Sequence, residues 1–146
     1  MKPIKKIAGE LLLYFYTLQR KQGIPIAEHV RFKNHWGGPI SVTGDGSFEK
    51  TILKIGNGSD IDVFNAINYL LEKNFIDCKA STDTGGYSYI WLKVSAFGID
   101  IIEGIERSKE AKNEFSVNFN IKLADNINID SLIKNELGSL IKASLI

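Results

Sequence analysis

AINYLLEKNFI, residues 66–76, is a helix that runs out into a strand, and the rest of the chain is organised around it. Val63, Ile67, Leu70 and Leu71 return at helical spacing with Phe64 beside them, which predicts a helix from about Ile61 to Lys73. Upstream, Gly56-Asn57-Gly58 is a turn, and Ser59 or Asp60 stands at a capping position. Asp60 and Asp62 place negative charge in the first turn, where the helix dipole favours it. Downstream, FIDCKASTDTGGYSYIWLKV (residues 75–94) holds two strand-like runs around Asp83-Thr84-Gly85-Gly86, a hairpin signal with a loose loop. Ser95 then caps a further helix, Ala96 to about Lys112, with Ile99, Ile102 and Ile105 or Glu106 in register.

Working back toward the N-terminus, Pro39 to Thr43 reads as a short strand and leads into SVTGDGSFEKT, residues 41–51. Gly44, Lys50 and Thr51 stand where a phosphate-binding loop has its first Gly, its Lys and its Thr. Such a loop needs Gly just before its Lys, because the backbone there hugs the phosphates; here that place holds Glu49. The expected reading is therefore a turn at Gly44-Asp45-Gly46, an N-cap at Ser47, and a short helix burying Phe48, Ile52 and Ile55 with Lys50 on its exposed side. Lys5 to Gln22 is the first helix, striped by Ile7, Leu11, Phe15 and Leu18 and stopped by Gly23 and Pro25. Residues 24–38 stay unassigned, although Val30 and Phe32 alternate with charged neighbours.

The C-terminal segment has a different character. Phe115, Val117, Phe119, Ile121 and Leu123 alternate with polar residues, which predicts a one-sided strand. Asp130 then opens a helix with Leu132, Ile133, Leu137, Leu140, Ile141 and Leu145 on one side. Each such side chain is worth ~1.5–3 kcal/mol on full burial. The expectation is a homodimer closed by Phe115, Val117, Phe119, Ile121, Leu132, Ile133, Leu137, Leu140 and Ile141. The alternative is a tail folded back on the first helix of its own chain. The final Ala143-Ser144-Leu145-Ile146 has no polar cap, which suits a docked terminus or a fragment.

With 146 residues, 44% apolar and 24% charged, the chain has the composition of one ordinary globular domain. A net charge of +1 gives no overall field toward nucleic acid or an anionic membrane. The single Cys78 cannot close an internal disulfide, and a reducing cytoplasm fits it. The apolar run Ile7–Leu18 is too short to span a bilayer. His29 and His35 stand at H-x5-H, the far end of the usual zinc spacing, and have no Cys pair with them, so no metal, cofactor or small-molecule substrate is expected. No nucleophile–base pair is visible, and an enzyme is disfavoured.

Taken in order, the elements are α+β: helix, strand, short helix, turn, helix, hairpin, helix. This order resembles the winged helix-turn-helix superfamily over about residues 40–112. The resemblance is carried by Ala66-Ile67-Asn68-Tyr69-Leu70-Leu71-Glu72-Lys73-Asn74-Phe75-Ile76 and by Val94-Ser95-Ala96-Phe97-Gly98, where the return strand of the wing enters its helix. It implies a winged-helix-like domain over residues 1–112, with 113–146 as a strand–helix extension. It also implies DNA binding by the second helix of the turn motif, and hence a transcriptional regulator. On that helix Asn65 and Asn68 could read adenine edges, but Asp60, Asp62 and Glu72 outweigh Lys73. Cations cluster elsewhere, at Arg31, Lys33, Lys50 and Lys54, and these complete the expected nucleic-acid contacts. Tyr87, Tyr89 and Trp91 alternate on the wing, either as packing or as a base-stacking surface. The rival reading is a protein-interaction adaptor that ignores nucleic acid.

Overall fold

The computed structural model describes residues 2–34, 39–83, 85–123 and 125–137. Helix α1 (Ile4–Gln22) is the central rod, burying Ile7, Leu11, Leu12 and Phe15. Gly23, at φ 83°, ends it. The segment that stays unassigned in sequence becomes β1 (Ala27–Asn34), followed by β2 (Ile40–Val42). Val30 and Phe32 are buried while His29, Arg31 and Lys33 between and beside them are exposed, the period-2 signature of a half-buried strand. Next come α2 (Ser47–Ile55) and α3 (Asp60–Glu72), then the hairpin β3 (Ile76–Asp83) and β4 (Gly86–Val94). The last elements are α4 (Ala96–Gly104), α5 (Lys109–Phe119), the short α6 (Ile129–Leu132) and a π-helical turn, Ile133–Leu137.

The strands form one antiparallel sheet in the order β2-β1-β4-β3. Helix α1 packs on β4, and α3 packs on β2 and β3. Phe32 and Tyr89 from the sheet meet Phe64 of α3 at ring distances of 5.2 and 6.5 Å. Ser59 caps α3 as expected, accepting from the Asp62 amide, and Ser95 caps α4, accepting from Gly98.

Several local readings are corrected. Ser47 does not cap α2; Gly46 takes that place without a side-chain bond, and the Ser47 carbonyl accepts from the Thr51 hydroxyl. The hairpin is not loose, since Asp83 pairs directly with Gly86. The helix expected to run to Lys112 stops at Gly104 and restarts at Lys109, with Ser108 as the new cap. The last helix is capped by Asn128, whose side chain accepts from Ser131.

The largest correction concerns the tail. Residues 115–119 are helical, not a strand. Lys109-Glu110-Ala111-Lys112 are strong helix formers behind the Ser108 cap, and the frame they start continues to Phe119. Phe115 and Phe119 are four apart, so the helix buries both, whereas Val117 is 77% exposed. Asn120, in the left-handed region at φ 54°, ends the helix, and Ile121 turns back onto α1. The approach is close: a Cβ on Gly9 would lie 2.6 Å from Ile121 and 2.7 Å from Phe119, so only glycine fits there. Phe119 also packs 4.9 Å from the Phe75 ring, and the Tyr69 hydroxyl donates to the Asn118 carbonyl. Phe115, Phe119, Ile121, Leu132 and Leu137 are thus buried in the same cluster as α1. The burial argument for a second copy is met within the chain at these positions. Ile133 is half-buried against the cluster, and Leu140 and Ile141 lie outside the described residues.

Candidate nucleic-acid interface

The six residues expected to meet nucleic acid are divided among three elements. Asn65 is exposed on α3. Asn68, one turn on, is committed: its Oδ1 accepts from the Tyr89 hydroxyl at 2.7 Å. Asp60 at the start of α3 accepts from the Val42 amide at 2.8 Å, which pins the helix to the sheet. The solvent side of α3 therefore offers Ile61, Asn65 and Glu72, and no cation before Lys73. Lys50 and Lys54 are exposed on α2, which packs on α1 and α3. Arg31 and Lys33 are exposed on β1.

Around Arg31 and Lys33 the sheet register builds a surface. His29 stands opposite Ile90, which in turn faces Lys79. Arg31 stands opposite Ser88, which faces Ser81. Lys33 lies between Gly86 and Ser41, and Gly86 faces Asp83. These rows share one side of the sheet, because each alternates with the inward row Val30–Tyr89 or Phe32–Tyr87. Along β1 the three basic-type side chains recur every second residue, ~6.8 Å apart. Among the described side chains, no carboxylate forms an ion pair with Arg31, Lys33 or Lys79; the pair that does form, Lys2–Glu10, sits elsewhere. A groove of about 350 Å³ runs beside Arg31 and Lys33, walled by Thr43 and Gly85–Ser88. Its depth depends on Gly86, whose φ is 149° and where a Cβ would collide with the Phe32 carbonyl.

Lys79 and His29 are not among the residues the sequence singles out for this surface. Lys79 is two residues from Asp77, and along the chain the two charges cancel. In the sheet Asp77 stands opposite Lys93 instead, beyond an irregularity in the register. The spacing His29-x-Arg31-x-Lys33 across buried Val30 and Phe32 is the signal that could have found the row.

The wing aromatics do not form one platform. Tyr89 is buried, and burial pushes its hydroxyl up to about 12 against the partial relief of the Asn68 bond. Tyr87 packs 4.9 Å from Phe64. Trp91 differs: it is 54% exposed and holds φ 62°, next to Ile90, itself 36% exposed. The register explains the conformation. Asp77 pairs with Lys93 and Lys79 with Ile90, so β4 carries one residue more than β3 between these pairs.

Other candidate chemistry is absorbed by the fold. The Glu49 carboxylate lies over the Gly44–Gly46 turn, 3.1 Å from where a Cβ on either glycine would stand, in the space a phosphate would need. Thr51 is fully buried and bonded to Ser47. Cys78 is half-buried, and burial raises its thiol to about 11. Among the described residues, no group of three or more His, Cys, Asp or Glu is placed to hold a metal ion. Among them too, no helix is long and apolar enough to cross a membrane. His35 and Trp36, which follow Arg31 and Lys33 in the sequence, lie outside the described residues. In comparisons with protein-family models, curated proteins and solved structures, nothing matches this chain.

Proposed function

We propose that this chain is a non-enzymatic, winged-helix-like module that binds nucleic acid through the outer face of its sheet. The element order α1-β1-β2-α2-α3-β3-β4, with the early strand β1 paired to the return strand of the hairpin, supports the winged-helix reading. The observation that carries the binding surface is the placement of Arg31, Lys33 and Lys79 on one exposed sheet face, with no ion-paired carboxylate among the described side chains. Cations on a common face are the footprint that binding to phosphates requires. Helix α3 is the weaker surface, because its leading turn holds Asp60 and Asp62 and Asn68 is already bonded inward.

The test is fluorescence anisotropy of labelled mixed-sequence oligonucleotides, single-stranded and duplex, at low salt. The triple variant Arg31→Ala/Lys33→Ala/Lys79→Ala is expected to bind at least tenfold more weakly than the wild type to whichever form binds. Asn65→Ala is expected to bind as the wild type does. Absence of binding by the wild type to either form, at any salt, would turn the reading toward a protein-interaction adaptor.

A further inference from the structure

Resting on that nucleic-acid reading, we infer that the sheet face takes single-stranded nucleic acid, with Trp91 as a base-stacking side chain beside the cationic rows. The first support is Trp91 itself. A bulky residue in the left-handed region is an outlier that the surroundings must hold in place, and this one is 54% exposed at φ 62°. The extra residue in β4 holds that conformation, and it leaves a large aromatic side chain half exposed beside Ile90. The neighbouring Ile90, also exposed, stands between His29 and Lys79, so an apolar contact and a cation are offered within one row of the sheet.

The second support is the spacing of the basic-type side chains. His29, Arg31 and Lys33 advance along one strand in steps of ~6.8 Å. A straight line of hydrogen-bond donors, two of them cations, follows an extended strand of phosphates, whereas duplex phosphates wind away from the sheet. Stacking needs a base whose face is free, which a duplex does not offer along its length. The element that would enter a major groove, α3, carries two carboxylates in its first turn. The surface is thus built for a chain that lays phosphates along β1 and a base against Trp91.

The experiment compares one mixed-sequence 15-mer, labelled, as a single strand and as a duplex, against the wild type, Trp91→Ala, Trp91→Phe and Trp91→Gly. The wild type is expected to bind the single strand at least tenfold more tightly than the duplex. Trp91→Ala and Trp91→Gly are expected to weaken binding on the order of tenfold for the single strand and little for the duplex, while Trp91→Phe keeps most of the affinity. Glycine accepts φ 62° freely, so Trp91→Gly keeps the fold even where alanine strains it. Equal affinity for the two forms, a preference for duplex, or unchanged binding by Trp91→Gly would overturn the single-strand inference while the triple cation variant still tests the sheet face. Failure to bind either form would remove both.

Discussion

Asn65 and Asn68 have the same side chain and lie one helical turn apart, yet only their surroundings decide what each does. Asn68 is spent on Tyr89, and Asn65 faces solvent. Replacing Tyr89 with Phe is expected to cost about 1 kcal/mol in urea denaturation at neutral pH, the net value of one such bond. The same variant has a pH signature. Tyr89 and Cys78 hold their protons more tightly when folded, up to about 12 and about 11 from ordinary values of 10.0 and 9.0. Below pH 9 both groups are protonated in both states, so their contribution is complete. As pH rises from 9 toward 12 the unfolded chain releases these protons first and stability falls. Tyr89→Phe is expected to flatten the part of that fall above pH 10, and an unchanged profile would mean that Tyr89 plays no part in it. Gly9 is a second residue whose smallness is structural. Gly9→Ala is expected to cost about 1–3 kcal/mol, because its Cβ would drive into Ile121 and Phe119 on the opposing segment. Neither the Asn68 bond nor the Gly9 approach is legible in sequence, since each joins residues that only the tertiary fold brings together.

At the scale of elements, the sequence is readable where one period stands alone and where caps are local. Helix α3, its Ser59 cap, the β3–β4 hairpin and the Ser95 cap of α4 follow from neighbouring residues. The tail misleads because Phe115 and Phe119 satisfy two periods at once, every second residue and every fourth. The helix formers behind Ser108 decide between them, and Val117 is the residue on which the readings differ. On a strand it would share the face of Phe115 and Phe119; on α5 it points to water. Phe119→Ala is therefore expected to cost about 3–5 kcal/mol and Val117→Asp to stay within about 0.5 kcal/mol of the wild type in the same denaturation series. Equal, large destabilisation by both would restore the strand. Strand β1 is the opposite case. Its alternation is visible, but eight residues between a Pro turn and a Gly-rich run name no partner, and its place beside β4 comes from the sheet.

For the whole molecule, a net charge of +1 conceals an uneven distribution. The register of three strands gathers Arg31, Lys33 and Lys79 on one face, where Asp83 is the acidic position in their rows, while Asp60 and Asp62 occupy the start of α3. Folding thus makes a cationic surface that composition could not announce. The described part of the tail buries Phe115, Phe119 and Ile121 against α1 and its neighbours. The most direct measurement is the salt dependence of binding to a mixed-sequence single strand, for the wild type and for Arg31→Ala/Lys33→Ala/Lys79→Ala. Every phosphate that the protein no longer neutralises lowers the slope of log K against log salt by about 0.7, so the triple variant is expected to bind with a slope smaller by about 2. A slope that is the same in both proteins would contradict the sheet-face proposal, because the phosphates would then be met somewhere else on the molecule.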